Sequence, residues 1–166
     1  MRDIIGQYFT NCENKLVINC ADYPNVDFTS QIINNVCVPL DIPFIISGGY
    51  NLHLSLLGPT VIPHKTACFD CMKFTLDELN KIGSKKLIRL DRTRRSLGSL
   101  VPLTAISASF VINEAIMVLL KSPYIEPAMV NRRGEFNFFT NTINYIELPK
   151  RNECELCGGK VSANMK

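Results

Sequence analysis

The first fifty residues alternate between two hydrophobic patterns. Residues 16–20 form a mainly apolar run that ends at a polar turn, which predicts a buried strand. Apolar residues then recur at helical spacing over residues 32–37, with Asp27 or Thr29 as the expected N-cap of that helix. The run "IPFIISGGY" predicts a second buried strand that ends at its two glycines. A strand, a helix and a strand in this order predict a βαβ unit with parallel strands, and hence an α/β fold.

The rest of the chain adds further elements. The segment "NLHLSLLGPTVIP" alternates partly and predicts a strand or hairpin, whereas residues 77–99 are polar and basic and predict a loop or an irregular crossover. One long helix is expected from about Pro102, and the small residues at positions 105 and 107–109 permit close packing on a sheet. The segment "GEFNFFTNTINYIEL" predicts a β-hairpin around Asn141.

Composition places these elements in one globular domain. The chain has 166 residues, 46% of them hydrophobic and 20% charged, with a formal net charge of +3. We therefore expect a single domain over residues 1–166. Basic residues concentrate over residues 81–95, but aromatic residues do not interleave with them, so nucleic acid is not an expected partner.

Membrane insertion and secretion are also not expected. The most apolar segment, residues 97–120, is interrupted by Pro102, Asn113 and Glu114, which favours a buried helix over a membrane span. The N-terminal sequence shows no signal-peptide pattern. Together with an odd count of seven cysteines, this indicates a reducing, cytoplasmic setting, where CxxC pairs are typical of metal or redox sites.

Four of the cysteines form two CxxC pairs, Cys68 with Cys71 and Cys154 with Cys157. Four thiolates in a tetrahedral array are the usual closed zinc site, which leaves no open coordination position, so we predict a structural rather than a catalytic zinc. The glycines after Cys157 suit the tight turn of a zinc knuckle. A redox dithiol is the alternative. His64, beside the first pair, is an alternative ligand.

The other three cysteines are expected to be small buried hydrophobic residues rather than ligands. They are Cys12, Cys20 and Cys37, which lie at predicted core or helix positions.

Several motifs occur here in one order: a strand ending in an aspartate, "GPTVIPHKTACFDC", a long helix with "EAI", and "CELCG". Over residues 16–158 this order resembles the C-terminal half of the ThiF/MoeB/HesA family, bacterial relatives of ubiquitin-activating enzymes. Within that family, "CADYP" and "SLVPLTA" are most similar to the branch that serves microcin C biosynthesis. The resemblance implies half of a Rossmann-like domain, with a mixed sheet, flanking helices and a pair of zinc knuckles.

The resemblance also implies a chemistry, the adenylation of a C-terminal carboxylate with ATP and magnesium. Asp22 matches the family's metal- and ATP-associated aspartate, at the strand end where ligands bind in open α/β sheets. A turn-capping role before Pro24 is the alternative. Asn34 matches a family asparagine with a structural or site-supporting role, and a contact with substrate or phosphate is its alternative role.

Two departures from the family pattern limit what the chain is expected to do alone. No G-x-G-x-x-G phosphate loop is present, which implies a fragment that lacks the N-terminal ATP-binding half and is inactive by itself. No cysteine lies between Met72 and Glu153, so a loop thioester is not expected. Arg92, Arg94 and Arg95 could contact a substrate carboxylate or phosphate, or form a solvated loop.

The implied partners are the C-terminus of a peptide or small carrier protein and a second copy in a homodimer. A non-catalytic peptide- or carrier-binding module is a second interpretation, and a dithiol redox protein is a third.

Overall fold

The computed structural model describes Gln7, residues 12–82 and residues 100–158. The long helices in this part of the chain are α1 (Val26–Cys37), α2 (Phe69–Ile82) and α3 (Val101–Leu120). The strands are β1 (Val17–Asn19), β2 (Phe44–Ile46), β3 (Tyr50–Asn51), β4 (Leu54–Leu57), β5 (Thr60–Val61), β6 (Arg132–Asn137) and β7 (Thr142–Glu147).

The first sheet contains the predicted βαβ unit. β1 and β2 are parallel, with Val17 opposite Phe44, and β5 pairs antiparallel on the other side of β2. The strand order is therefore β1-β2-β5 in a mixed sheet. All three residues of β2 are buried, as expected for a central strand covered on both faces. The predicted α/β class, the parallel pair and the mixed sheet are confirmed.

The second sheet is antiparallel and has the order β3-β4-β6-β7. The hairpin predicted around Asn141 is the β6–β7 pair, and Asn141 takes a positive φ of 54° in its turn. The alternating leucines form the β3–β4 hairpin, with Leu52 at φ 55° between the strands.

The start of α1 differs from the sequence prediction. Asn25 is the N-cap, and its Oδ1 accepts a hydrogen bond from the Phe28 N–H over 2.8 Å. Asp27 and Thr29 lie inside the helix, so the prediction of either as the cap was wrong. Thr29 Oγ1 instead donates to the Ala21 carbonyl oxygen, which ties the helix to the end of β1.

The segment after the first CxxC pair is more helical than its polarity indicates. α2 continues to Ile82, so the predicted loop was wrong for residues 77–82. Met72, Leu76 and Leu79 recur at spacings of four and three residues, which is the period of one helix face. The remainder of the predicted loop lies outside the described residues.

The long helix α3 packs against β2, β3 and β4. Ser107 Oγ donates to the Leu56 carbonyl oxygen, and Ser55 Oγ donates to that of Leu103. The expectation of a buried helix holds for one side only: Ala105, Ala108 and Ser109 are exposed, and Ser107 is the small residue that packs.

By length and composition alone, α3 would also pass as a membrane-crossing helix, a test that core helices of soluble proteins pass as well. It is the one such helix in the described part of the chain. Glu114, near its middle, is buried and bonded to protein groups.

Candidate metal centre and the Asp22 end of the sheet

The two CxxC pairs meet in one buried cluster, although 86 residues separate Cys68 from Cys154. The Sγ atoms of Cys68 and Cys154 are 3.6 Å apart, those of Cys71 and Cys157 are 3.5 Å apart, and those of Cys68 and Cys71 are 3.9 Å apart. All four sulfur atoms lie within 4.8 Å of one another.

These distances fit a tetrahedral zinc ion. Zinc–thiolate bonds of about 2.3 Å at tetrahedral angles place neighbouring sulfurs about 3.8 Å apart. The observed separations of 3.5–3.9 Å surround that value. They are also far longer than a disulfide bond of about 2.05 Å, and all four thiols are free. The donor set of four buried cysteines therefore fits a closed structural site.

The first knuckle is formed at the N-terminus of α2. Cys68 precedes the helix and Cys71 lies in its first turn, and the Met72 N–H donates to the Cys68 carbonyl oxygen over 3.1 Å. Asn34 of α1 fixes this helix start because its Oδ1 accepts the Phe69 N–H over 3.0 Å. Asn34 has no exposed surface, so in this structure it supports the knuckle.

The second knuckle is a tight turn that ends in glycine. The Cys154 N–H donates to the Arg151 carbonyl oxygen, and the Gly158 N–H donates to that of Cys154 over 2.8 Å. A Cβ atom at Gly158 would lie 2.4 Å from the Asn152 carbonyl oxygen and 2.5 Å from that of Cys154. Only glycine fits there, which gives a physical reason for the "CELCG" sequence.

The electrostatics of the cluster favour a cation. A hydrogen bond from the Cys68 thiol lowers the pKa of Cys71 to about 5, and the Arg151 N–H donates to the same sulfur. The bond to Cys71 raises the pKa of Cys68, and burial raises the pKa of Cys157 to about 11. Without a metal, the thiolate of Cys71 is stabilised while the thiols of Cys68 and Cys157 keep their protons. A divalent cation removes the cost of burying several thiolates together.

The remaining cysteines and His64 divide between buried and exposed positions. Cys37 is buried as predicted, and burial raises its pKa to about 11. Cys12 and Cys20 are exposed, so the prediction of buried hydrophobic roles for them was wrong. His64 is exposed, and its carbonyl oxygen accepts a hydrogen bond from Lys150 Nζ.

Asp22 is exposed in the loop that leaves the carboxyl end of β1. A ring of hydrogen bonds fixes the start of this loop. The Ala21 N–H donates to Asn19 Oδ1 over 3.1 Å, and Thr29 Oγ1 donates to the Ala21 carbonyl oxygen over 2.8 Å. The loop ends at the N-cap Asn25, so both ends of the short segment that carries Asp22 are anchored.

The sequence reasoning missed Asn19 and Thr29 as supports of this loop. Asn19 is 2% exposed and donates to Thr29 Oγ1 and Ser30 Oγ over 3.1 and 2.9 Å. The available signal was a polar residue at the last position of an apolar strand. Arg92, Arg94 and Arg95 lie outside the described residues, so their relation to Asp22 stays a prediction.

A surface groove of about 530 Å³ lies elsewhere on the molecule. It includes Pro43, just before β2, and it runs beside the C-terminal end of α3, where Lys121 and Glu126 line it. Because β2 starts at this end, the groove faces the amino ends of the parallel strands. Asp22 is at the opposite end of the sheet.

The fold and the cysteine cluster can be compared with known proteins. A family model described as the ThiF family matches residues 6–157. No curated protein matches the sequence.

Among solved structures, Escherichia coli MccB with ATP aligns with a TM-score of 0.63 and 23% identity, over 90% of this chain and 41% of that one. The microcin C7 biosynthetic enzyme MccB in complex with N-formylated MccA aligns with a TM-score of 0.67 and 22% identity, over 90% and 42%. A heterocyclase in complex with substrate and cofactor gives 0.59 and 17%, over 86% and 20%.

At these identities the structural likeness shows the fold alone. The chain spans about two fifths of the length of the MccB chains that it matches. This agrees with the resemblance to the C-terminal half of a ThiF-type protein that the motifs indicated. Since the family model covers nearly all of the sequence, the chain belongs to the ThiF family.

Proposed function

We propose that this chain forms the C-terminal half of an enzyme that adenylates the C-terminal carboxylate of a peptide or small carrier protein. The observation that carries the proposal is the position of Asp22, on a doubly anchored loop at the carboxyl end of β1 in a ThiF-family chain. Ligands of open α/β sheets bind beyond the carboxyl ends of the strands, so the position of Asp22 supports a role for it beside the nucleotide.

In this proposal Asp22 is a ligand for magnesium. Carboxylate oxygens are preferred by that ion, which would also contact phosphate oxygens of ATP and offset their charge. The exposed side chain is free to reach such a ligand, while the hydrogen bonds to Ala21 limit the movement of its backbone. Arg92, Arg94 and Arg95 are proposed contacts to a substrate carboxylate or phosphate, since guanidinium groups bind such anions bidentately. Asn34 would act indirectly, through the helix start that it caps.

Zinc, in this proposal, has a structural role. Four cysteine ligands leave no position for a substrate, and the cluster ties the end of the described chain to the start of α2. The activated product would be an acyl-adenylate, with pyrophosphate released. Because no cysteine lies between Met72 and Glu153, a loop thioester is not part of the proposal.

The solved MccB structures support the choice of substrate class by analogy. One holds ATP, and another holds N-formylated MccA. We extend both ligand classes to this chain as proposals, together with a cytoplasmic location and a homodimeric assembly. The phosphate-binding glycine loop would come from outside residues 1–166.

A non-catalytic binding module of the same fold is the alternative. It is favoured by the lack of a G-x-G-x-x-G motif, since backbone N–H groups of such a loop are the usual phosphate donors. In that case the chain would recognise a peptide or carrier terminus without activating it.

The test is ATP–pyrophosphate exchange driven by candidate peptides, measured with these residues in their complete gene product. Asp22→Ala should abolish peptide-dependent exchange and leave the circular dichroism spectrum unchanged. Asp27→Ala, an exposed aspartate in the first turn of α1, is the matched control and should retain exchange. Exchange that survives in Asp22→Ala would remove Asp22 from the site, and peptide binding without any exchange would favour the binding module.

A further inference from the structure

The groove at the amino ends of the parallel strands has the size and lining of a small-molecule site. Its volume of about 530 Å³ lies within the range of ligand pockets, about 300–1,000 Å³. Its buried lining is mainly apolar and includes Val118 of α3 and Pro127, just beyond that helix. Met117 and Val130 are half-buried in the same lining, and Ile125 is 51% exposed there. The groove therefore offers a concave apolar surface to a ligand.

A smaller recess of about 400 Å³ adjoins the groove. Lys65 and Lys121 line both cavities, as do Pro43, Ile62 and Val118. Lys65 belongs to the segment between β5 and α2, whereas Lys121 is the C-cap of α3. Two ammonium groups from separate parts of the chain are thus placed where the groove and the recess meet.

The two lysines lack acidic partners at this junction. Within the part of the chain that the structure describes, neither ammonium group lies within 4.0 Å of a carboxylate oxygen. Lys121 Nζ donates a long hydrogen bond of 3.3 Å to the Glu13 carbonyl oxygen. The carboxylates nearby each line one cavity alone, Glu126 the groove and Glu13 and Asp41 the recess. Like charges that share a cavity repel each other, so the junction is complementary to an anionic group.

We propose that the groove binds a small amphipathic acid, an aliphatic carboxylate whose chain lies along Val118, Pro127 and Val130 and whose charged end lies between Lys65 and Lys121. Burial of the chain and pairing of the carboxylate with the ammonium groups both favour this ligand. A sugar phosphate would satisfy the lysines but would place its hydroxyl groups against apolar side chains. A neutral apolar molecule would leave both ammonium groups without a counterion.

This site is separate from the proposed nucleotide site. The groove lies at the amino ends of β1 and β2, whereas Asp22 follows the carboxyl end of β1. The inference therefore does not rest on the proposed function, and its test does not depend on ATP–pyrophosphate exchange.

Calorimetric titration of the zinc-loaded complete gene product with octanoate tests the site. Hexanoate should bind about tenfold more weakly than octanoate, because it has two fewer methylene groups to bury. Lys65→Gln and Lys121→Gln should each weaken octanoate binding by about threefold to fivefold, since each removes one ammonium group. Octanol has the same chain length without the charge, so its affinity should be equal in the unmodified protein and in both variants.

Two further variants separate the charged end from the chain. Lys73→Gln, at an exposed lysine of α2 that lines neither cavity, is the matched control and should bind octanoate as the unmodified protein does. Ile125→Ser should weaken octanoate and octanol alike, because it removes apolar lining and leaves both lysines in place. Ile125 is exposed, so this change does not disturb the core.

Several results would overturn the proposal. Octanoate that does not bind to the folded protein would do so, as would equal octanoate affinity in the unmodified protein and the two groove-lysine variants. Equal affinity for hexanoate and octanoate would show that the chain is not buried in the groove. Methyl NMR gives the location, and octanoate should shift the resonances of Met117, Val118 and Val130. Shifts confined to other methyl groups would place the ligand elsewhere and contradict the proposal.

Discussion

Asn19 Nδ2 donates a hydrogen bond to Thr29 Oγ1 over 3.1 Å, deep between β1 and α1. The same threonine hydroxyl donates a hydrogen bond to the Ala21 carbonyl oxygen over 2.8 Å. Asn19 Oδ1 closes the ring by accepting the Ala21 N–H. The backbone one residue before Asp22 is thus held on both its polar groups, by residues from a strand and a helix.

Thr29→Val should loosen the loop that carries Asp22. Valine keeps the shape of threonine but removes the hydroxyl, so the Ala21 carbonyl oxygen loses its donor at a cost of about 1 kcal/mol. We expect faster hydrogen exchange of the Ala21 amide, by about fivefold. Thr29→Ser is the matched control because it retains the hydroxyl, and it should exchange as the unmodified protein does. Equal protection in all three proteins would contradict an anchoring role for Thr29.

Asn34→Ala should weaken the start of α2. The Phe69 N–H would lose its acceptor inside the core, which costs about 1–2 kcal/mol, as for other helix caps. Because this helix start carries the first knuckle, zinc should also be released more quickly to a chelator. Urea denaturation and the rate of zinc transfer to a chromogenic chelator measure the two effects.

The neighbouring exposed residue provides the control for that variant. Asn35→Ala changes the same residue type one position along α1, where the side chain contacts Gln31 at the surface. It should alter stability by less than about 0.5 kcal/mol. If the two variants are equally stable, the Asn34–Phe69 contact does not support the knuckle.

Loss of one zinc ligand should separate the two knuckles and destabilise the fold. Cys157→Ser leaves three thiolates for zinc and breaks the 3.5 Å contact with Cys71. We expect loss of bound zinc and loss of the cooperative unfolding transition, since metal-binding free energy contributes directly to folding in such sites. Elemental analysis and circular dichroism give the two measurements. Cys12→Ser, at an exposed cysteine, should keep its zinc, and a well-folded, zinc-free Cys157→Ser protein would refute a structural metal.

Much of the fold was accessible from the sequence because its signals are local. The apolar runs before and after α1 indicate buried strands directly. The two CxxC spacings indicate a metal site even though the pairs are far apart in the chain. The extension of α2 to Ile82 was missed because most of its last residues are polar. A helix with so few apolar residues on its buried face is hard to distinguish from a loop in the sequence. The N-cap was missed because Asp27 and Thr29 are also good capping residues.

Features that depend on distant contacts were not accessible. Asn34 and Phe69 are 35 residues apart, and nothing in either local pattern indicates that one caps the other. The exposure of Cys20, the residue after β1, likewise depends on tertiary packing that the local pattern does not show. The exposed side of α3, with Ile112 and Ile116, was hidden for the same reason, since a uniformly apolar helix does not show which of its sides is covered.

Glu114→Gln should destabilise the packing of α3. The carboxylate accepts three hydrogen bonds, from Thr60 Oγ1 at 2.6 Å, from the Ala128 N–H at 2.6 Å and from the Met129 N–H at 3.0 Å. Glutamine replaces one of the two accepting oxygens by an NH2 group, which cannot accept a hydrogen bond. At least one of the three donors would then lose its acceptor and face another donor. Since the side chain is 1% exposed, water cannot replace the lost bond, and we expect a loss of about 2–3 kcal/mol in the free energy of unfolding.

Glu126→Gln, at an exposed glutamate beyond the end of α3, is the control and should change stability by less than about 0.5 kcal/mol. Urea denaturation of the zinc-loaded proteins compares them, and equal midpoints for the two variants would show that Glu114 does not hold α3 to β5 and residues 128–129.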